Sequence, residues 1–165
     1  MFSKIMIPTD GSILGEIAAT EGIKMASKLG AEVVIIHIVR EYDKSGMSKS
    51  MSKAEYEEAA KVAGRKILQP LEELAQKSKV KFTTILGMAN HIALAVVREA
   101  KECGCDLIFI GSNGCGGWDH LLVGSVSNKV LASAEIPVLV YRLREDQVPA
   151  DAPEYYSSSV FVFPG

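Results

Sequence analysis

The residues best suited to chemistry lie between positions 111 and 127. They read Gly111-Ser112-Asn113-Gly114-Cys115-Gly116-Gly117 and, after a short apolar stretch, Gly124-Ser125-Val126-Ser127. Glycine lets backbone approach a ligand closely and reaches positive φ without strain. A helix opening at Ser125 offers unpaired N–H groups and a partial positive charge to an anion. Ser125 and Ser127 add hydroxyls in its first turn. The combination is a phosphate cradle made of main chain. Lysine-based cradles do not fit, because no lysine occurs between Lys101 and Lys129 and the Walker form needs one. The dinucleotide pattern G-x-G-x-x-G fails as well, since a start at Gly114 finds Asp119 where the third glycine belongs. On this segment alone, a glycine loop with no ligand is the competing reading.

A second segment, Pro8-Thr9-Asp10-Gly11-Ser12, closes the first apolar run. In open α/β sheets, ligands sit beyond the carboxyl ends of strands where the winding direction reverses. If the first and fourth strands are neighbours, Asp10 and the Gly111 segment face one crevice. Asp10 then has two candidate roles: to meet a ribose hydroxyl, a base edge or a phosphate-bound metal, or to cap the first helix. The two are compatible.

Other constellations carry less. His37, His91 and His120 lack metal-ligand spacing, and no G-x-S-x-G elbow supports a triad from Asp119, His120 and Ser125. Cys103-Gly104-Cys105 is neither a redox nor a zinc pair, and Cys103 reads as core. Cys115 lies near a helix start, where a thiolate gains stabilisation, and is a candidate redox switch on ligand binding. The acidic run Glu55 to Glu58 reads as a solvated face.

These residues need a scaffold. Lys4–Pro8, Ala31–Val39, Val80–Leu86, Asp106–Ile110 and Val138–Tyr141 read as strands, the second nearly continuous in Val and Ile, as a strand covered on both faces requires. Helices are expected between them. The first carries Leu14, Ala18, Gly22, Met25 and Leu29 on one face and ends at Gly30. The second carries Tyr56, Ala60, Ala63, Ile67, Leu71 and Leu74, with Pro70 expected to kink or split it near Gln69. The third follows Asn90, a candidate N-cap, along Ile92, Val96, Ala100 and Cys103. The fourth spans Ser125–Ala134. Strands alternating with helices predict an α/β fold, a parallel sheet with helices on both faces. After Arg142 the pattern stops. Residues 147–159 read as a linker, and Val160-Phe161-Val162-Phe163 as a strand adding to a sheet edge or as a frayed tail.

Composition agrees with one globular domain. The chain has 165 residues, 48% of them apolar and 23% charged, with a net charge of −2. Such a length buries about 70% of the unfolded surface. No dense Lys/Arg block points to nucleic acid, and no apolar run approaches the ~20 residues of a membrane span. The start of the chain lacks a signal-peptide layout. With three cysteines, an odd number, a cytoplasmic location is expected.

The chain resembles the universal stress protein (UspA-like) family, in its ATP-binding branch. Gly111, Gly114, Gly124 and Ser125 fit that branch's G-x2-G-x9-G-[S/T] pattern, and Ile7-Pro8-Thr9-Asp10-Gly11-Ser12 and Ile136-Pro137-Val138-Leu139-Val140 match the family's two ends. The resemblance covers about residues 1–142 and leaves 143–165 as an extension. It implies a Rossmann-like, adenine nucleotide alpha hydrolase-like sheet of order 3-2-1-4-5, with ATP and a divalent cation (Mg or Mn) held mainly by the phosphates. It also implies a homodimer through the strand at 138–141. By motif position, Asp10 lines the adenosine site, Val39 meets adenine, Gly111 and Gly114 take ribose and phosphates, and Gly124, Ser125, Val126 and Ser127 take the phosphate tail; Pro8, Thr9 and Ile110 are further candidate cofactor-binding residues. The chain departs from the family at Asn113 and Cys115, where members often carry basic residues, and at Asp119, which adds a negative charge. Trp118 is either a lid, a dimer contact or core.

The leading functional reading is an ATP-binding signalling protein of a stress response. No residue has a clear claim to orient an attacking water, so little hydrolysis is expected. A slow ATPase or nucleotide hydrolase using Asp10 and a metal, and a nucleotide-free dimerisation module, are the alternatives.

Overall fold

A computed structural model describes residues 1–43, 51–112, 123–143 and 145–147. Five strands, β1 (Lys4–Pro8), β2 (Glu32–Val39), β3 (Phe82–Met88), β4 (Leu107–Gly111) and β5 (Val138–Tyr141), alternate with helices α1 (Ile13–Leu29), α2 (Lys53–Lys77), α3 (Ile92–Glu102) and α4 (Ser125–Ser133). A short 3₁₀ turn covers Glu145–Gln147. All pairings are parallel and the order is β3-β2-β1-β4-β5. The order expected from the family resemblance is therefore the one observed. Winding reverses between β1 and β4.

Alternation along the central strands divides the core in two. Ile5, Ile7, Val33, Ile35, Leu107 and Phe109 face α1 and α2, while Met6, Val34, Ile36, Ile108 and Ile110 face α3 and α4. Both faces are apolar, which is why β2 reads as an unbroken Val/Ile run.

Several local expectations need correction. α2 runs unbroken through Pro70 over 25 residues. Pro70 is exposed, so the carbonyl one turn earlier that loses its partner faces water. The buried stripe of α2 is Gly64, Leu68, Leu71 and Ala75, one row round from the expected face. Gly64 sets that rotation, because a Cβ there would overlap the Leu86 side chain. β3 starts two residues late and contains Gly87, which was expected to end it. His91, not Asn90, is the N-cap of α3, and Asn90 instead donates to Glu41 at 2.6 Å. The expected strand at 160–163 lies outside the described residues.

Candidate functional site

The site is assembled at the carboxyl edge of β1 and β4. β1 pairs with β2 as far as Pro8 with Ile36, whereas its ladder with β4 comprises Ile5–Leu107 and Met6–Ile108. Among the described residues that ladder ends before either strand does, so β1 and β4 run on unpaired with each other, β1 still on β2 and β4 still on β5. This is the position at which a doubly wound sheet receives ligands.

The β1 exit is closed by its own polar groups. Thr9 is buried; its N–H donates to Ile36 O at 2.9 Å, and its carbonyl accepts from His37 Nδ1 at 2.8 Å. The His37 tautomer is thereby fixed with its proton on Nδ1. Gly11 turns the chain at φ +77°, a conformation open to glycine at no steric cost. Asp10 Oδ1 then accepts from Ser12 N at 3.0 Å and from Ser12 Oγ at 2.6 Å. Ser12 is the N-cap of α1, its hydroxyl accepting from Gly15 N at 3.0 Å. The cap expected of Asp10 is therefore supplied two residues later by Ser12, with Asp10 holding the capping hydroxyl in place. Asp10 itself is exposed. Gly15 was not foreseen as part of this arrangement. A Cβ on it would overlap Asp10 Oδ1, so Gly15 makes room for the carboxylate. Glycine in the first turn of a helix was the available signal.

The β4 exit is built differently. Ser112 N donates to Tyr141 O at 2.8 Å, and Gly124 N donates to Ser112 O at 2.7 Å. Gly124 is the N-cap of α4, at φ −56° and ψ 156°, and being glycine it brings no capping side chain of its own. Ser127 is buried, and its hydroxyl donates to Gly111 O at 2.8 Å, which ties the first turn of α4 to the last residue of β4. With that hydroxyl engaged, the group Ser127 has left to offer an anion is its amide. Ser125 and Val126 are exposed. α4 therefore presents its N-terminal amides and the Ser125 hydroxyl at the rim of the same edge that carries Asp10. Ile110 is buried and Gly111 half-buried beneath it.

Val39 ends β2 next to Met88 of β3, and Ala89 N donates to its carbonyl at 3.0 Å. It is half-buried, one strand outward from Pro8 and Thr9. Gly114, Asn113, Cys115, Trp118, Asp119 and His120 lie outside the described residues. Among the described residues no group of three His, Cys, Asp or Glu side chains is arranged to hold a metal. Cys105 is buried away from this edge. Burial, then the neighbouring Cys103, pushes its thiol up to about 11, which keeps it protonated and unreactive.

The available donors suit one kind of ligand. An uncapped helix start beside two diverging strand ends takes an oxyanion, and the half-buried apolar wall from Val39 to Pro8 suits a flat ring. Among the described residues, this edge offers backbone and hydroxyl donors and no cluster of three metal-ligating side chains.

A profile of the universal stress protein family matches residues 1–142. Universal stress protein MJ0531 of Methanocaldococcus jannaschii is 32% identical over 142 residues, covering 86% of this chain and 83% of that protein. The solved structure of hypothetical protein MJ0577 from the same organism superposes with a TM-score of 0.68 at 27% identity, over 88% of this chain and 99% of that one. The universal stress protein from Archaeoglobus fulgidus, solved in complex with dAMP, shares the fold at a TM-score of 0.60 and 18% identity, over 84% and 96% of the two chains. No helix among the described residues is long and apolar enough to cross a membrane. The sheet order, the two strand exits and these likenesses converge: the chain belongs to the universal stress protein family.

Proposed function

We propose that the protein binds ATP at the carboxyl edge of β1 and β4 and acts as a nucleotide-dependent binding protein in a stress response. The observation that carries this reading is that α4 starts at the same carboxyl edge of the sheet as the Asp10 turn, with a glycine as its N-cap residue. A relative of the same fold was solved with the adenine nucleotide dAMP. In this reading Val39, Pro8 and Thr9 hold the base and Asp10 the ribose. Ile110, Gly111 and Gly114 are assigned to ribose and phosphates, and the amides of Ser125, Val126 and Ser127 with the Ser125 hydroxyl to the phosphate tail. A divalent cation (Mg or Mn), when bound, neutralises phosphate charge and is held mainly by the phosphates.

The chain's own groups favour holding over turnover. Asp10 spends one carboxylate oxygen on Ser12, and no described side chain stands ready to orient water at a terminal phosphate. Hydrolysis slower than about one turnover per minute is expected, since phosphoryl transfer needs both positioning and charge neutralisation.

β5 is an edge strand whose four residues are all half-buried. Such an edge calls for a partner, and we assign it to a second copy, forming a homodimer. Cytoplasmic residence fits the free thiols of Cys103 and Cys105.

Mass spectrometry of small molecules released on denaturing freshly purified protein tests the ligand assignment. An adenine nucleotide in near-stoichiometric amount is expected, together with a rise in Tm in added ATP. Saturation at about 100 times Kd adds about 2.7 kcal/mol. Protein free of nucleotide, with a Tm unmoved by millimolar ATP, refutes the assignment.

A further inference from the structure

The face of the sheet that carries α1 and α2 is not fully covered at its β5 end. α1 packs against β4 and α2 against β2 and β3, which leaves Leu139 and Tyr141 of β5 only half-buried. Between them and α1 runs a groove of about 500 Å³, lined by Met25, Phe109, Leu139 and Tyr141. Phe109 and Tyr141 form its floor, stacked with centroids 5.6 Å apart. Lys24 and Lys28 stand on its rim with Glu21, which pairs with Lys24 at 2.8 Å. The lining is thus apolar and aromatic below, with one net positive charge above.

The chain itself leads to this groove. After β5 it turns through Glu145–Gln147, and Gln147 Nε2 donates to Tyr141 Oη at 2.7 Å. The last described residue is therefore fastened to a groove residue. The sequence that follows, residues 148–165, contains Asp151 and Glu154 and no Lys, Arg or His. It also contains Tyr155, Tyr156 and the apolar run Val160-Phe161-Val162-Phe163. Its charge is opposite to that of the rim, and its aromatic content matches the floor. Reach is not limiting: the steps from Gln147 to Phe161 span roughly 45 Å when extended.

We propose that the segment around Val160–Phe163 of the same chain docks in this groove, its phenylalanines on the Phe109–Tyr141 floor and its acidic stretch against Lys24 and Lys28. It would occupy the position where a further helix would otherwise shield β5. Docking on the face leaves the outer edge of β5 open to a second copy, so the inference stands apart from both the nucleotide site and the dimer.

The full chain carrying Phe161→p-benzoylphenylalanine tests this directly. It is irradiated as an equal mixture of ¹⁵N-labelled and unlabelled protein, and the cross-links are mapped by mass spectrometry. Cross-links within one isotopic chain to Met25, Leu139 or Tyr141 are expected. Met25→Glu, which puts a negative charge in the groove, should lower their yield at least fivefold, whereas Leu94→Glu on exposed α3 should leave it unchanged. Cross-links only between mixed isotopes, only to residues outside the groove such as the edge of β5, or none at all, overturn the proposal. So does equal yield in Met25→Glu.

Discussion

α1 and α4 begin at the same edge of the sheet, one after β1 and the other after β4, and they are finished in opposite ways. The start of α1 is closed by its own chain: Ser12 Oγ accepts from Gly15 N, Asp10 holds Ser12, and Gly15 has no side chain so that Asp10 fits. The start of α4 has glycine as its cap and no side-chain cap. An N-terminal turn carries orphan donors in either case. The first helix satisfies the Gly15 donor with its own Ser12 hydroxyl and gains stability. The second has no cap side chain on its own N-cap residue, and in the proposed reading its donors serve the phosphates. The contrast matches one strand exit that is polar and self-bonded and another that is glycine-rich in sequence.

Substitutions can break this contrast from either side. Gly15→Ala forces a Cβ into the space of Asp10 Oδ1, and overpacking of this kind costs about 1–3 kcal/mol. Urea denaturation should show that loss, with nucleotide affinity falling as well because Asp10 is displaced. Ser12→Ala removes the cap and should cost about 1–2 kcal/mol, again by urea denaturation. Gly124→Asp works on the other helix. It supplies the missing cap, so stability should change by no more than a few tenths of a kcal/mol. Its carboxylate occupies the anion position, however, and ATP affinity by calorimetry should drop about tenfold, or ~1.4 kcal/mol. Equal stability losses in Ser12→Ala and Gly124→Asp with unchanged affinity would erase the distinction.

A smaller effect comes from the opposite edge, where Asp106 repeats the closed arrangement. Burial pushes its pKa up, but hydrogen bonds from the Ser3 hydroxyl and from the Lys4 and Ser3 amides outweigh that and hold it below the usual aspartate range. A depressed carboxylate pKa contributes stability that is present above the unfolded value and lost as pH falls through the folded one. Asp106→Asn should therefore flatten the fall in Tm below about pH 4 and leave ATP binding intact. A wild-type acid slope in the variant would show that the contact is idle.

Much of this was legible in the sequence, unevenly. β1 and β5 were read to the residue because Pro8 and Pro137 bound them. The αL glycine ending α1 was equally plain at Gly30. β3 slipped because its apolar pattern is weak and Gly87 looks like punctuation, yet pairing with the Val/Ile run of β2 carries the strand through it. The stripe of α2 was misread by one row because Ile67 and Ala63 are as apolar as the residues that are buried, and only the fit of Gly64 to Leu86 decides between them. At the site, glycine spacing marked the α4 start. The Asp10–Ser12–Gly15 unit was half seen, since a carboxylate that needs an absent side chain three residues beyond its hydroxyl partner is a spatial fact. His37 stood out as a polar break in an apolar strand, but its bond to the Thr9 carbonyl follows only from strand adjacency.

The contrast between the two helix starts is measured most directly by recording amide NMR shifts during a titration with ATP and magnesium. The amides of Ser125, Val126 and Ser127 should move together and saturate, while that of Gly15, already bonded to Ser12 Oγ, moves least. If the α4 amides stay in place, or Gly15 moves as far as they do, phosphate is not bound where this account puts it.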